Sequence, residues 1–405
     1  MNTVVGENHR VMSGMRPTGA LHLGHYRGVL KNWMKLQHEH DCTFVVVDWH
    51  ALTTHYEDPQ DIQKNVFEMV IDWLAVGINP SQASIAVQSK VPEIAELHLL
   101  LSMVTPLGWL ERVPTYKEQK EKLKERDLNT YGFLGYPLLQ AADILVYNAD
   151  LVPVGEDQVP HIEMAREIAR RFNYVFGREP EFEAKADAAV KKLGGKNGKL
   201  YRELRRQYTE EGNDDALAKA RAMLNENQNI TKGDRERLLG YLAGIGRTIL
   251  NEPQPLLTET PKVIGLDGQK MSKSYGNTIA LREDPKEIEQ KMRTMPTDPA
   301  RVRRTDPGNP EKCPVWEFHK VYSDAETQEW VKEGCTTAGI GCIECKMCVI
   351  GKVNEELEPI RERAKKYEED PDLVRAIITD GSEAARNMAR ETMEEVRQAI
   401  GINYR

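Results

Sequence analysis

Apolar positions in the first 180 residues fall into two alternating textures. Short, dense runs mark strands at 10–14 (RVMSG), 43–52 (TFVVVDWHAL), 84–89 (SIAVQS) and 151–155 (LVPVG). The second run is almost continuous, as expected of a strand buried on both faces. Between the second and third runs, Ile62, Val66, Met69, Val70, Trp73 and Leu74 recur at helical spacing. Gly77 stands where such a helix would stop. Strands alternating with helices predict an α/β fold with a parallel sheet and right-handed crossovers. A further strand is expected at 261–267 (PKVIGLD).

Two stretches have another texture. Residues 178–252 carry helical patterns separated by loop signals at Gly194–Gly198 and Gly212–Asp215, and read as a helical insertion. Within it, residues 181–250 hold 14 Lys+Arg against 11 Asp+Glu, a net of +3. From about 285 the pattern is helical to the end, and Met388, Thr392, Met393, Val396, Ala399 and Ile400 make one largely apolar face. The expected organisation is therefore an α/β unit at 1–177, the insertion at 178–252, a return to the α/β unit at 253–284, and an all-α region at 285–405.

Composition narrows the class. The 405 residues carry a formal net charge of -8, so a globally basic nucleic-acid binder is excluded while a local basic face is not. No apolar run approaches the roughly 20 residues of a membrane span, and the first residues lack an apolar signal segment. A cytoplasmic location is expected. Five of the six cysteines lie between Cys313 and Cys348. In a reducing compartment such a cluster reads as metal ligation before disulfides. Cys313, Cys335, Cys342 and Cys345 are spaced C-x21-C-x6-C-x2-C, with Cys348 a further step on. Spacing alone suits either zinc or an iron–sulfur cluster.

The segment 12–33 (MSGMRPTGALHLGHYRGVLKNW) reads as strand, Gly/Pro turn and helix start. A helix start offers unpaired N–H groups to phosphate, small residues let a ligand approach, and His22 and His25 add donors. In 265–279 (GLDGQKMSKSYGNTI), Lys270 and Lys273 flank Met271-Ser272 in a Gly-bounded loop suited to a polyanion. Together, HLGH at 22–25 and KMSKS at 270–274 resemble the paired signatures of class I aminoacyl-tRNA synthetases. The resemblance extends to the tryptophanyl-tRNA synthetases through GMRPTG (14–19), VVDWHALTTHY (46–56), LERVPTYKE (110–118), GYPLLQAADILVY (135–147) and 152–173.

That resemblance implies a Rossmann catalytic domain with a helical anticodon-binding domain, usually dimeric. It implies ATP-dependent charging of tRNA(Trp) with L-tryptophan, with Mg²⁺ accompanying ATP. It places Asp143 as acceptor of the indole N–H, with Tyr136, His50, Val152, Val154 and Gln158 around the amino acid. Arg16, Pro17, Thr18, Gly24 and His25 match the nucleotide-binding turn. Gly155, Glu156 and Asp157 match the ribose and adenine side, and Lys117 matches a phosphate-reaching lysine. Val263 and the loop residues Lys270, Met271, Ser272, Lys273 and Ser274 complete the nucleotide side. His22, His25, Lys270 and Lys273 are the expected catalytic groups. Gln140 stands where many relatives have Met.

The segments 309–320 and 334–346 resemble a subset of that family with a C-terminal [4Fe–4S] cluster, which implies Cys313, Cys335, Cys342 and Cys345 as ligands and leaves Cys348 spare. Two rivals share part of the pattern: a tyrosyl-type synthetase, and a non-catalytic paralogue that binds tRNA or tryptophan.

Overall fold

The computed structural model describes residues 8–113, 130–178, 181–211, 213–244, 246–257 and 263–404. Five parallel strands form one sheet: β1 (Arg10–Met15), β2 (Asp41–Val46), β3 (Ala83–Val87), β4 (Leu151–Val154) and β5 (Gln254–Leu257). Their spatial order is β3-β2-β1-β4-β5. The chain thus winds one way from β1 to β3 and the other way from β4, and the reversal falls between β1 and β4. Ligands of open parallel sheets bind at the carboxyl ends of the strands flanking such a reversal.

Side-chain alternation divides the core in two. Val11, Phe44, Val46, Ile85 and Val87 face one side, where they meet the helix Ile62–Val76 and the helix Cys342–Glu369. Met12, Val45, Val47, Ala86 and Val152 face the other, against helices Glu93–Ser102, Tyr136–Leu145 and Val159–Phe176. The last helix, Pro371–Ile400, brings Ala385, Ala389, Met393 and Val396 to that second core. It also covers the free edge of β3. Ser382 Oγ accepts the Val87 N–H at 3.1 Å, and a Cβ on Gly381 would stand 2.2 Å from the Ile85 carbonyl oxygen. An edge strand is thereby blunted by a helix laid along it.

Three local expectations need correction. The run at 43–52 is strand only through Val46; Val47 turns, and Asp48–His55 is a helix whose Asp48 carboxylate accepts the Trp49 and Ser89 N–H groups. The strand expected at 261–267 is instead Gln254–Leu257. Its described part, 263–267, makes only an isolated bridge between Ile264 and Lys270. There the chain doubles back through Gly268 at φ +84°, which ends any extension. The loop expected at 194–198 is confined to Gly194, at φ +86°, since Gly195–Glu211 is already helical.

The insertion comprises helices Phe182–Lys192, Gly195–Glu211, Asp214–Glu226 and Lys232–Ala243. They enclose a core of their own built on Tyr201, Leu224, Leu238 and Leu242. Its base is a close backbone crossing, with the Arg247 N–H donating to the Gly177 carbonyl at 2.9 Å.

Candidate active site

The segment that follows β1 stands at the reversal point of the sheet. β1 runs out at Met15 into Arg16, Pro17 and Thr18, and Gly19 turns at φ +110°. Leu23–His25 then begins a helix that continues through a π-helical turn, Tyr26–Leu30. His22 caps it: its Nδ1 accepts the Gly24 N–H at 3.2 Å, and His25 Nδ1 accepts the His22 N–H at 3.3 Å. With both Nδ1 atoms accepting, each neutral ring carries its proton on Nε2 and can donate it to an anion. Burial first, then Lys273, lowers His22 to about 4; burial first, then His22 and Lys273, lowers His25 to about 3. A Cβ on Gly24 would meet the His22 ring at 3.0 Å, so any larger residue there would have to displace that ring.

The lysine loop is pinned to this turn by backbone pairing. Leu23 N–H donates to Ile279, Leu281 N–H donates to Leu21, and His22 bridges Ala280. Met271 is 5% exposed and lies in the same core as Leu21, Leu23 and Val263. Asn277 ties the loop internally: its Oδ1 accepts the Ser272 N–H at 2.8 Å, and its Nδ2 donates to Asp267 at 2.7 Å and to the Lys270 carbonyl at 3.2 Å. Lys270 is exposed. Lys273 leans over the turn, its Nζ 3.6 Å from where a Gly19 Cβ would be. Burial lowers Lys273 to about 8, opposed by Asp72.

Asp72 is the buried hinge pin of this arrangement. It accepts the Leu21 N–H at 3.0 Å on one oxygen and Arg282 Nε at 2.6 Å on the other. Arg282 also pairs with Glu68 and with Glu368 near the end of helix Cys342–Glu369. The same long helix supplies Glu356, which accepts from Arg27 at 2.9 Å and Lys31 at 2.8 Å, both on the helix after the His turn.

Beyond the turn lies a second, buried group. Asp143, on helix Tyr136–Leu145, is 2% exposed. Gln88 Nε2 donates to its Oδ1 at 2.7 Å, and His50 Nε2 stands 2.8 Å from its Oδ2. Tyr136 stacks obliquely near His161, with ring centroids 5.9 Å apart. Gly155, Glu156 and Asp157 follow β4 and are exposed; a Cβ on Gly155 would crowd Asp157 Oδ1 at 2.9 Å. Gln158 donates to Asp157 at 2.9 Å. Val152 is buried within the sheet, and Val154 packs against the same core. Lys117 lies outside the described residues. Gln88, Asp72, Arg282 and Asn277 were not singled out from sequence. Asp72 carried a signal: it is a charge inside the otherwise apolar run Val70–Leu74.

Cys313, Cys335, Cys342 and Cys348 lie near enough to Cys345 for their charges to act on it. Cys345 is raised to about 12 by burial first and then by Cys313, Cys335, Cys342 and Cys348. Burial also raises Cys335, with Cys313 and Cys342 adding to it and Arg301 opposing. His319 Nε2 is 3.2 Å from Cys345 Sγ, and Arg301 Nη1 is 3.8 Å from Cys335 Sγ. Cys335 Sγ fills the space where a Gly308 Cβ would stand, at 2.7 Å. Half-buried cysteines near one another are a donor set that could serve a cationic centre. Among the described residues, no three His, Cys, Asp or Glu side chains close around the position of a single metal ion. Cys348 is exposed, its thiol turned to the Glu344 carbonyl at 3.6 Å.

The family model for class I tRNA synthetases (W and Y) matches residues 5–199 and 232–358. The chain belongs to that family. The two matched stretches flank 200–231, within the helical insertion. The chain is 67% identical to the tryptophan–tRNA ligase of Ralstonia nicotianae, over 98% of this chain and 99% of that protein. It is 45% identical to that of Thermotoga maritima, over 98% of this chain and all of that one. Among solved structures, the tryptophanyl-tRNA synthetase of Campylobacter jejuni complexed with ADP and tryptophan superposes with a TM-score of 0.72. That match has 27% identity and covers 97% of this chain and 99% of the other.

Proposed function

We propose that this class I synthetase is a tryptophan–tRNA ligase, which activates L-tryptophan with ATP and transfers it to tRNA(Trp). One observation carries the reading: the HLGH turn and the KMSKS loop are paired backbone to backbone just after β1, where the strand order reverses. The tryptophan carboxylate attacks the α-phosphate in line, pyrophosphate leaves, and the tRNA ribose hydroxyl then takes the acyl group. No protein nucleophile is required, so catalysis is positioning and charge stabilisation. Arg16, Pro17, Thr18 and Gly24 shape the nucleotide turn. The Nε2–H groups of His22 and His25 face phosphate, and Lys270 and Lys273 neutralise the leaving pyrophosphate. Gly155, Glu156 and Asp157 face ribose and adenine, and Mg²⁺ arrives as the triphosphate's counter-ion. Asp143 accepts the indole N–H, a donor-only group that needs a buried acceptor. His50, Tyr136, Val154 and Gln158 surround the amino acid.

The organisation within this reading is a Rossmann unit interrupted by the 178–252 insertion, with 285–405 facing the anticodon. Pyrophosphate exchange should be strong with tryptophan and at background with tyrosine. Exchange with tyrosine instead would move the chain to the sister specificity, and exchange with neither would make it a non-catalytic paralogue.

Three further elements belong to the proposal. Cys313, Cys335, Cys342 and Cys345 hold a [4Fe–4S] cluster, a reading supported by their spacing and by the proximity of the other three to Cys345; zinc is the alternative. Bound there, a cluster would cross-link the start of helix Pro314–Tyr322 to the start of helix Cys342–Glu369. Anaerobic preparations should hold about four iron and four sulfide per chain; stoichiometric zinc without sulfide would replace the cluster by a zinc staple. The chain acts as a cytoplasmic homodimer, in keeping with exposed Leu99, Met103 and Leu107 on neighbouring turns. No helix among the described residues is long and apolar enough to cross a membrane. A monomer by light scattering at micromolar concentration would remove the dimer.

A further inference from the structure

Gln88 follows β3 and has no exposed surface. A primary amide can turn end for end without changing shape, so its orientation needs a second contact to fix it. The backbone N–H of Trp49 supplies that contact by donating to Gln88 Oε1 at 3.0 Å. An N–H cannot face Nε2, so only one orientation satisfies both ends, and in it Nε2 points to Asp143 Oδ1 at 2.7 Å. Trp49 is held in turn: Asp48 Oδ1 accepts its N–H and that of Ser89, each at 3.0 Å. The end of β3, the first turn of helix Asp48–His55 and Asp143 are therefore joined by one chain of hydrogen bonds. His50, from the same first turn, meets the other oxygen of Asp143 at 2.8 Å. One acceptor direction on each oxygen is filled by the protein, and the directions left open are fixed in space.

We propose that Gln88 is a specificity-determining positioning residue, which aims Asp143 at the indole N–H of tryptophan and so sets discrimination against side chains lacking that donor. This rests on Asp143 being the indole acceptor. A site built to hydrogen-bond a substrate N–H rejects an isostere without it far more sharply than an apolar pocket does. That sharpness depends on the acceptor being held in place.

The test uses the full-length enzyme and two substrates in pyrophosphate exchange: tryptophan, and 3-(benzothiophen-3-yl)alanine, in which sulfur replaces the indole N–H. Gln88→Glu keeps an acceptor for the Trp49 N–H and sets a second carboxyl beside Asp143, so the two share one proton and Asp143 is no longer held as a free acceptor. Gln88→Met removes both partners without adding a charge. Each should raise KM for tryptophan by about tenfold with a much smaller change in kcat. Each should lower the tryptophan-to-analogue ratio of kcat/KM by about tenfold, because the analogue never used the aimed acceptor. If Gln88→Met fails to fold, Gln88→Glu, which preserves the Trp49 contact, carries the test. A purely structural role would depress both substrates equally, and an unchanged ratio in the folded variants overturns the proposal. Asp143→Ala, measured in parallel, separates the two ideas. An unchanged ratio there removes the Asp143 assignment itself. A collapsed ratio there, beside unchanged ratios at Gln88, removes only the role of Gln88.

Discussion

Replacing Asp72 by Ala tests whether the two signature segments are held in register by a buried ion pair. Asp72 is 1% exposed and carries two hydrogen bonds, from Leu21 N–H and Arg282 Nε. Losing the first leaves a buried N–H unpaired, at about 1–3 kcal/mol. Losing one partner of a buried pair outright costs about 3–5 kcal/mol. Arg282 keeps Glu68 and Glu368, which are 37% and 45% exposed, so the second cost is only partly incurred. A total near 3 kcal/mol follows for Asp72→Ala, and about 1 kcal/mol for Asp72→Asn, which keeps an acceptor for Leu21. Part of this should appear in catalysis, since Leu21 and Arg282 border His22 and the lysine loop. A loss of about 1.5 kcal/mol in transition-state alignment is roughly tenfold in kcat. Urea unfolding with a constant slope measures the first quantity, and pyrophosphate exchange at saturating substrates measures the second. If Asp72→Ala lost the stability yet kept kcat within twofold, the pair would hold the fold without aligning the site. A stability change too small to measure would mean the pair is not formed.

Other outcomes follow from single contacts. Lys273, lowered to about 8 by burial, sheds its proton as pH rises through that value, so ATP binding near pH 9 should take up a proton. Calorimetry in buffers of different ionisation enthalpy would show this, and Lys273→Met should abolish it. Because that pKa lies below the unfolded value of about 10.4, this group makes stability rise with pH between the two, which unfolding at pH 8 and pH 10 compares against Lys273→Met. Gly24→Ala would drive a Cβ to 3.0 Å from the His22 ring, and should raise KM for ATP about tenfold while changing stability by under about 1 kcal/mol. Gly381→Val would place its Cβ 2.2 Å from the Ile85 carbonyl, which cannot yield as a flexible side chain would. About 3 kcal/mol of stability should be lost in urea unfolding.

Most of the sheet was readable because β2, β3 and β4 are dense apolar runs, as strands buried on both faces give. The fifth strand was missed because Gln254–Leu257 is short, contains Pro255 and is largely exposed at the sheet edge, so its pattern is weak. The helix at 48–55 was hidden because Trp49, Ala51 and Leu52 carry the apolar texture of β2 on past Asp48 and His50. HLGH and KMSKS were legible as short motifs whose spacing reflects local chemistry. Gln88, Arg282 and Asn277 were not, since their roles depend on partners 55, 210 and 10 residues away. A residue defined by tertiary partners leaves no local pattern, whereas Asp72 was at least conspicuous by charge.

The helix laid along β3 gives the chain an order of completion. Residues 371–400 leave the ribosome long after residues 83–87, whose edge strand they cap. During synthesis at about 5–20 residues per second, β3 waits for its cover for about 15–60 s. Over that interval a nascent chain presents an open strand edge to its neighbours on the same message. Truncation anywhere before Gly381 would make the exposure permanent. Such products should be recognised by holdase chaperones through the β3 edge, and a supplied peptide spanning 371–400 should suppress their aggregation.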